Sequence, residues 1–118
     1  NFTLFGIEIA SQCHIGKGLF FPHTQGTVIG AARIGDNAII YHGVTLGARS
    51  LDIGFNADVR PTVGDDVLIA SGASILGGLT VGSGAKIGAN ALVTRSVPEY
   101  AVVKAPLAVF DEKVGLHD

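Results

Sequence analysis

Four histidines could move a proton near neutral pH: His14, His23, His42 and His117. His23 stands in a short stretch, Phe21–Gly26, that breaks the regular pattern of the surrounding chain. A rigid scaffold often carries its site at such a break, so we expect His23 to be functional, although a corner histidine without a role also fits. We expect His42 either beside that site or as a plain member of a stacked row. His14 and His117 are expected at the surface.

The pattern that His23 interrupts is a repeat of six residues. From Val63 to Val93 a branched apolar residue recurs at every sixth position, in a chain with 17 glycines. Helices space apolar residues by three and four and strands alternate them, so neither template fits. A short strand followed by a tight corner does fit, with glycine or asparagine relieving strain at the corner. The repeat predicts the following inward positions: Ile9, Ile15, Phe21, Val28, Ile34, Ile40, Leu46, Val63, Ile69, Ile75, Val81, Ile87 and Val93.

Three such units make one triangular coil, and stacked coils bury a common core. We therefore predict an all-β fold, a left-handed parallel β-helix of hexapeptide repeats over residues 1–98 with about four coils. A β-sandwich with glycine-rich turns is the alternative, although its turns recur at variable spacings of about 8–12 residues.

Two segments lie outside the repeat. Residues 47–62 contain no good hexad, and we predict an extruded loop there, because long loops within compact folds are usually functional or disordered. Residues 99–118 are predicted to form a tail that begins extended and packs on the last coil, covering its exposed strand edge.

Composition excludes several classes of partner. The formal net charge of −2 provides no basic field for nucleic acid or an anionic membrane. The longest apolar runs fall far short of the roughly 20 residues that cross a bilayer. The first five residues lack the features of a signal peptide, and the single cysteine, Cys13, excludes an internal disulfide. These features favour the cytoplasm.

The stretch from Gly6 to about Pro106 resembles the catalytic domain of the serine O-acetyltransferase family, within the hexapeptide-repeat acyltransferases. The resemblance is carried by the following segments: Ile7-Glu8-Ile9, Ile15-Gly16-Lys17-Gly18, His23 followed by Gly26, Gly43-Val44-Thr45-Leu46-Gly47, Gly84-Ala85-Lys86-Ile87-Gly88-Ala89, and Pro98. It implies an enzyme of cysteine biosynthesis that transfers an acetyl group from acetyl-CoA, its co-substrate, to the hydroxyl of serine. It also implies a homotrimer with sites between neighbouring subunits.

The resemblance also assigns site residues. His23 becomes the general base that takes the proton of the acceptor hydroxyl. The family pairs this histidine with an aspartate fifteen residues earlier, and that position here is Glu8, for which a solvated surface charge is the plainer interpretation. A carboxylate there would orient the imidazole and stabilise its protonated form. Contacts with the pantetheine arm of CoA are implied for Gly72, Ala73, Gly84, Ala85 and Lys86.

The sequence departs from the family in three segments. The family's extruded loop usually ends in Arg-His-Pro, whose histidine binds the acceptor, whereas this chain has Val59-Arg60-Pro61. The loop starts Gly47-Ala48-Arg49-Ser50 in place of Gly-Gly-Thr-Gly, and Lys104-Ala105-Pro106-Leu107 replaces the closing Gly-x-Pro-Ala. Arg49 and Arg60 could hold a carboxylate or a sugar acid, or could be plain surface charges. His42 is the third candidate substrate-binding residue. The altered loop therefore keeps a sugar or polysaccharide hydroxyl open as the acceptor.

Two functions of other classes stay open. A zinc hydratase resembling γ-carbonic anhydrase would need three imidazoles at one metal, including a closely spaced pair. Successive histidines here are nine, nineteen and seventy-five residues apart, so we expect no metal. The other alternative is a non-catalytic β-helix subunit, in which replacing His23 would change nothing measurable.

Overall fold

A computed structural model describes residues 2–4 and 6–111 of the chain, so His117 and the rest of the tail beyond residue 111 lie outside it. The strands, in chain order, are β1 (Phe2–Leu4), β2 (Ile7–Ile9), β3 (His14–Ile15), β4 (Thr27–Ile29), β5 (Arg33–Ile34), β6 (Ile39–Ile40), β7 (Thr45–Gly47), β8 (Thr62–Val63), β9 (Leu68–Ile69), β10 (Ser74–Leu76), β11 (Thr80–Val81), β12 (Lys86–Ile87), β13 (Leu92–Val93) and β14 (Val102–Val103). One 3-10 turn, Ala57–Val59, lies between β7 and β8. Among the described residues no helix is long and apolar enough to cross a membrane.

The strands form three sheets, which are the faces of a triangular prism. Face A has the order β1-β2-β4-β7-β10-β13, face B the order β11-β8-β5-β3, and face C the order β14-β12-β9-β6. The chain visits A, B and C in turn and pairs in parallel with the coil below. The exception is β1, which pairs antiparallel with β2 at one end of face A. This is the predicted left-handed parallel β-helix.

The core is a stack of branched residues that point inward from each face. On face A, for example, Ile29, Leu46 and Ile75 occupy successive rungs of the same ladder. In the three middle coils none of the inward residues is more than 1% exposed. Each coil adds its inward side chains to a continuous apolar column. Full burial of one branched apolar side chain contributes about 1.5–3 kcal/mol to the free energy of unfolding. Stacking therefore accounts for stability that a single coil could not provide.

One predicted inward position, Val28, is wrong. Val28 is 37% exposed, whereas Ile29 is fully buried and pairs with Ile9 below and Leu46 above. Ile29 lies eight residues after Phe21, and Ile34 lies only five residues after Ile29, whereas the repeat has a spacing of six. An insertion of two residues is therefore followed by a deletion of one. The prediction placed one extra residue before Val28 and then resumed the six-residue spacing, so the other predicted positions keep the register of the inward ladders. Ile15 pairs with the buried Ile34 but is itself 38% exposed, because β3 is the last strand of face B.

The β-helix also continues past the predicted boundary at residue 98. Val97 forms a parallel bridge with Val81, and β14 pairs with β12 through Lys86↔Val102 and Ile87↔Val103. Val97 and Val103 thus complete a fifth coil within the described residues, one more than the predicted four. The segment after Pro98 begins with a turn at Glu99–Tyr100 and not with an extended stretch, and only Val102–Val103 forms a rung of face C. Residues 104–111 continue without regular secondary structure.

The corner between faces B and C shows why particular residue types occupy the turns. Gly18 and Gly84 have φ of 74° and 75°, and the non-glycine residues at the same corner have similar values. The left-handed conformation costs least for glycine and is tolerated by asparagine and aspartate. The non-glycine residues of this corner are Asn37 (59°), Asp66 (56°) and Tyr100 (61°).

Candidate functional site

His23 lies on the corner between faces C and A, where the chain carries two extra residues. In the next coil this corner is Tyr41-His42-Gly43, but in the first coil it is the longer Pro22–Gly26. The backbone N–H of Gly43 donates to the carbonyl of Gln25 over 2.9 Å, so Gln25 and not His23 is the register neighbour of His42. The two added residues push His23 out of the regular corner and onto the surface.

His23 and His42 nevertheless lie in contact. Their ring centroids are 5.6 Å apart with the ring planes at 80°, which is an edge-to-face arrangement. Both side chains are exposed, and with Gln25 they line a shallow depression at the corner. The contact of the two rings comes from the protruding loop and not from equivalent positions in the repeat, and a role of His42 in the site stays a prediction. Two exposed imidazoles with open space beside them can exchange protons with a bound hydroxyl.

Glu8 lies on face A rather than on the corner. It sits on β2 opposite Val28 of β4, and its exposed side chain borders a groove beside β4. Within the described residues no hydrogen bond joins Glu8 to His23. The predicted pairing of these two side chains therefore stays a prediction.

The extruded loop is held by Arg60. Its guanidinium donates from Nε to Asp52 Oδ2 over 2.9 Å and from Nη1 to the Gly30 carbonyl over 2.9 Å. Nη2 donates to the Asp52 carbonyl at 3.3 Å, and the guanidinium carbon lies 4.1 Å from the centroid of the Phe55 ring. Three of the five guanidinium N–H groups are thus used within the chain. We call these contacts the Arg60 clamp, and they fasten the loop to the second coil.

Asp52 is the acidic half of the clamp. Besides Arg60 it accepts the backbone N–H of Asn56 over 2.7 Å. This backbone hydrogen bond, together with the adjacent guanidinium, lowers the pKa of the Asp52 carboxyl although its partial burial opposes the shift. Sequence reasoning missed Asp52 and Phe55, because neither belongs to a repeat and only the loop fold brings them to Arg60.

Arg49, the other predicted loop residue, points to a different part of the fold. Its exposed side chain passes over Gly77 of the fourth coil, where an added Cβ would lie 3.0 Å from Arg49 Cδ. Arg60 instead reaches Gly30 of the second coil. The two arginines therefore do not converge on one ligand within this chain.

A groove of about 180 Å³ runs between the loop and the outer surface of the first two coils. Carboxylate, amide and guanidinium groups line it together with apolar side chains, so it can hold a small polar molecule. The residues lining it are Glu8, Ala10, Gln12, Val28, Ile29, Gly30, Asp52, Ile53, Phe55 and Arg60.

The residues assigned to CoA lie at two corners of the prism. Gly72 and Ala73 follow the C–A corner one coil above His42, whereas Gly84 and Ala85 precede β12 at the B–C corner. Their backbone N–H groups are already used, as in Gly72 N–H to the His42 carbonyl at 3.0 Å and Gly84 N–H to the Asp65 carbonyl at 2.8 Å. The carbonyls of Gly72 and Gly84 accept no backbone hydrogen bond from the described residues and can accept one from a ligand amide. Lys86 is exposed on face C.

No group of three or more His, Cys, Asp or Glu side chains among residues 6–111 is placed to hold a metal ion. His14, on β3, is exposed as expected.

Comparison with known proteins adds to this geometry. Residues 60–95 match the family described as bacterial transferase hexapeptide, six repeats. The chain is 48% identical over 99 residues to a serine acetyltransferase of Staphylococcus xylosus and 46% identical over 99 residues to one of Bacillus pumilus. The chain belongs to the serine acetyltransferase family.

Solved structures from this family have the same fold. Serine acetyltransferase 1 of Entamoeba histolytica superposes with a TM-score of 0.78 at 37% identity, covering 86% of this chain and 39% of that protein. The serine acetyltransferase of Neisseria gonorrhoeae gives 0.75 at 40% identity, over 86% of this chain and 38% of that protein. The match to the Staphylococcus xylosus relative covers 83% of this chain but 44% of the relative. The chain therefore spans less than half the length of these family members.

Proposed function

We propose that this member of the serine acetyltransferase family is an acetyl-CoA-dependent O-acetyltransferase and that its acceptor is serine. The observation that carries the proposal is the position of His23. This histidine stands on the lengthened corner of a β-helix whose relatives at 46–48% identity are named serine acetyltransferases. It is exposed, and the space in front of its ring is open to an acceptor. In this proposal the product serves cysteine biosynthesis in the cytoplasm, where the single free thiol, Cys13, stays reduced.

His23 acts as the general base in the proposed reaction. Its imidazole takes the proton of the acceptor hydroxyl as the oxygen attacks the thioester carbonyl of acetyl-CoA. The tetrahedral adduct then collapses, the carbon–sulfur bond breaks, and the proton on the imidazole passes to the departing thiolate. The products are the O-acetyl ester and CoA with a free thiol, so the histidine ends in its starting state.

Glu8 supports His23 through charge. Its carboxylate lies on β2 of the first coil and is exposed to solvent. A carboxylate there stabilises the imidazolium that forms during attack. The contact forms when the acceptor is bound, since catalytic hydrogen bonds often tighten only in the substrate complex.

Acetyl-CoA lies in a groove between neighbouring copies of the chain. The free carbonyls of Gly72 and Gly84 suit the amide N–H groups of the pantetheine arm, and Lys86 suits a CoA phosphate. These groups occupy the two corners that border face C, and a groove between two copies would place one corner of each copy beside the same bound molecule. A homotrimer of prisms provides three such grooves.

A sugar hydroxyl is the second candidate acceptor. The observation that favours it is the Arg60 clamp, which replaces the family's acceptor-binding histidine and uses most of the guanidinium on Asp52 and Gly30. The groove beside the clamp is bordered by Glu8 and Gln12, whose side chains hydrogen-bond hydroxyl groups.

The proposal is tested by measuring CoA release from acetyl-CoA with a panel of serine, homoserine and sugars. We expect serine to stimulate release in the wild-type chain and not in His23→Ala. If a sugar is the only compound that stimulates CoA release, the acceptor is a sugar hydroxyl and not serine. If no acceptor raises release above the level of the variant, the enzyme proposal fails and a non-catalytic β-helix subunit is left.

A further inference from the structure

We propose that His42 is a positioning residue for His23, holding its imidazole through the edge-to-face contact at the C–A corner. The proposal rests on the proposed role of His23 as the base. The contact joins ring centroids 5.6 Å apart at an interplanar angle of 80°, within the range in which aromatic rings attract each other edge to face.

The loop that carries His23 has little support of its own. From Pro22 to Gln25 no backbone N–H of this corner donates a hydrogen bond within the described chain, and the next donor is Gly26, to the Gly6 carbonyl at 3.0 Å. The His23 side chain makes no hydrogen bond there either. Pro22 restricts the backbone just before His23, but nothing in the loop itself fixes the direction of the ring.

His42 is held firmly on both sides. The Tyr41 N–H donates to the Ile69 carbonyl at 3.0 Å, and the Gly43 N–H donates to the Gln25 carbonyl at 2.9 Å. The His42 carbonyl accepts the Gly72 N–H from the coil above, and Ile40, two residues before His42, is fully buried in the core. The backbone that carries the His42 ring is therefore fixed by more hydrogen bonds than the backbone that carries the His23 ring.

The contact explains how an exposed histidine could keep a defined direction. Because both rings are open to solvent, burial does not fix them, and the ring contact is available to orient the His23 imidazole. Edge-to-face packing needs an aromatic partner but no proton transfer. Replacement of His42 by phenylalanine should therefore preserve the function, whereas replacement by alanine should lose it.

The experiment compares His42→Phe and His42→Ala with wild type, using steady-state kinetics and ¹H–¹³C NMR of the His23 ring. We expect His42→Ala to lower kcat by roughly tenfold or more, within the ~10²-fold that a misplacement of about 1 Å can cost, with KM for acetyl-CoA unchanged. His42→Phe should restore most of kcat. The His23 Cε1–H signal should shift in His42→Ala because the neighbouring ring current is lost. His14→Ala, at an exposed histidine on β3, is the matched control and should behave as wild type.

Either of two kinetic results would overturn the inference: full activity in His42→Ala, or equal loss of activity in His42→Ala and His42→Phe. An unchanged His23 NMR signal in His42→Ala would also overturn it, by showing that the rings are not in contact in solution. Failure of the proposed function is recognised separately, because then His23→Ala would be as active as wild type whatever His42 does.

Discussion

Arg60 donates from Nε to the carboxylate of Asp52 over 2.9 Å, and both side chains are largely shielded from solvent, at 14% and 13% exposure. This pair joins two parts of the extruded loop eight residues apart, while the Nη1 bond to Gly30 ties the loop to the prism. The loop is thereby shaped before any ligand arrives. The loop thus presents a preformed wall to the groove that Glu8 borders.

Replacing Arg60 with lysine should release the loop while leaving the prism folded. Lysine keeps the positive charge but cannot reach Asp52 and Gly30 together as the planar guanidinium does. We expect amide hydrogen exchange in residues 50–58 to become at least about tenfold faster, as for loss of one charge-assisted hydrogen bond, with exchange in the core strands unchanged. Arg49→Lys, at an exposed loop arginine outside the clamp, is the matched control. Equal exchange in Arg60→Lys and wild type would show that the clamp does not hold the loop.

The clamp should also weaken at acid pH. Since the folded pKa of Asp52 is lowered by Asn56 and Arg60, the stabilisation is complete above the ordinary aspartate value of about 3.9 and is lost as pH falls through the lower folded value. We expect loop amides to lose protection in that acid range before the core does. In Asp52→Asn this pH dependence should disappear, because the carboxyl that titrates is gone. If the hydrogen-exchange protection of the wild-type loop amides does not vary with pH in this range, the Asp52 carboxylate does not stabilise the loop.

The corrected register at β4 predicts a contrast between two adjacent residues. Ile29→Ala removes a fully buried side chain from the face A ladder, and we expect it to lower the free energy of unfolding by about 2–5 kcal/mol. Val28→Ala removes an outward side chain that is 37% exposed and should cost clearly less. Chemical denaturation of the two variants measures both values. A larger loss for Val28→Ala would restore the register expected from the six-residue count.

The comparison of sequence with structure separates periodic from non-periodic features. Inward positions such as Ile34 and Ile75 are set by a period that repeats in every coil, so the fold and most of its core could be predicted. Val28 was wrongly predicted to point inward because an insertion and a deletion lie close together in the chain. A count of residues between the regular hexads on either side gives only the net change in length and not the position of each. Phe55 and Asp52 meet Arg60 through an irregular loop, and no local pattern encodes that meeting. The contact of His23 with His42 was one of two alternatives for His42, and the sequence could not decide between them because the contact depends on how a lengthened corner folds outward.

Cys13 should react slowly with thiol reagents. Burial raises the pKa of its thiol to about 11, so the reactive thiolate is scarce at pH 8 in the folded chain. We expect modification by a chromogenic disulfide to be much slower than that of a free cysteine at pH 8 and to accelerate on unfolding, with Cys13→Ser as the blank. Reaction of the native protein at the rate of free cysteine would show that the thiol is not shielded.

The central claim is that His23 is the base of an acetyl-CoA-dependent acetyl transfer. The most direct measurement is the pH profile of kcat/KM for CoA release with serine, in wild type and in His23→Asn. We predict that wild-type activity falls toward acid pH, because a general base must be unprotonated to take the proton of the acceptor hydroxyl. His23→Asn should retain the fold but lose activity by about 10²–10⁴-fold, the usual contribution of a general base. Wild-type rates and an unchanged pH profile in His23→Asn would contradict the account.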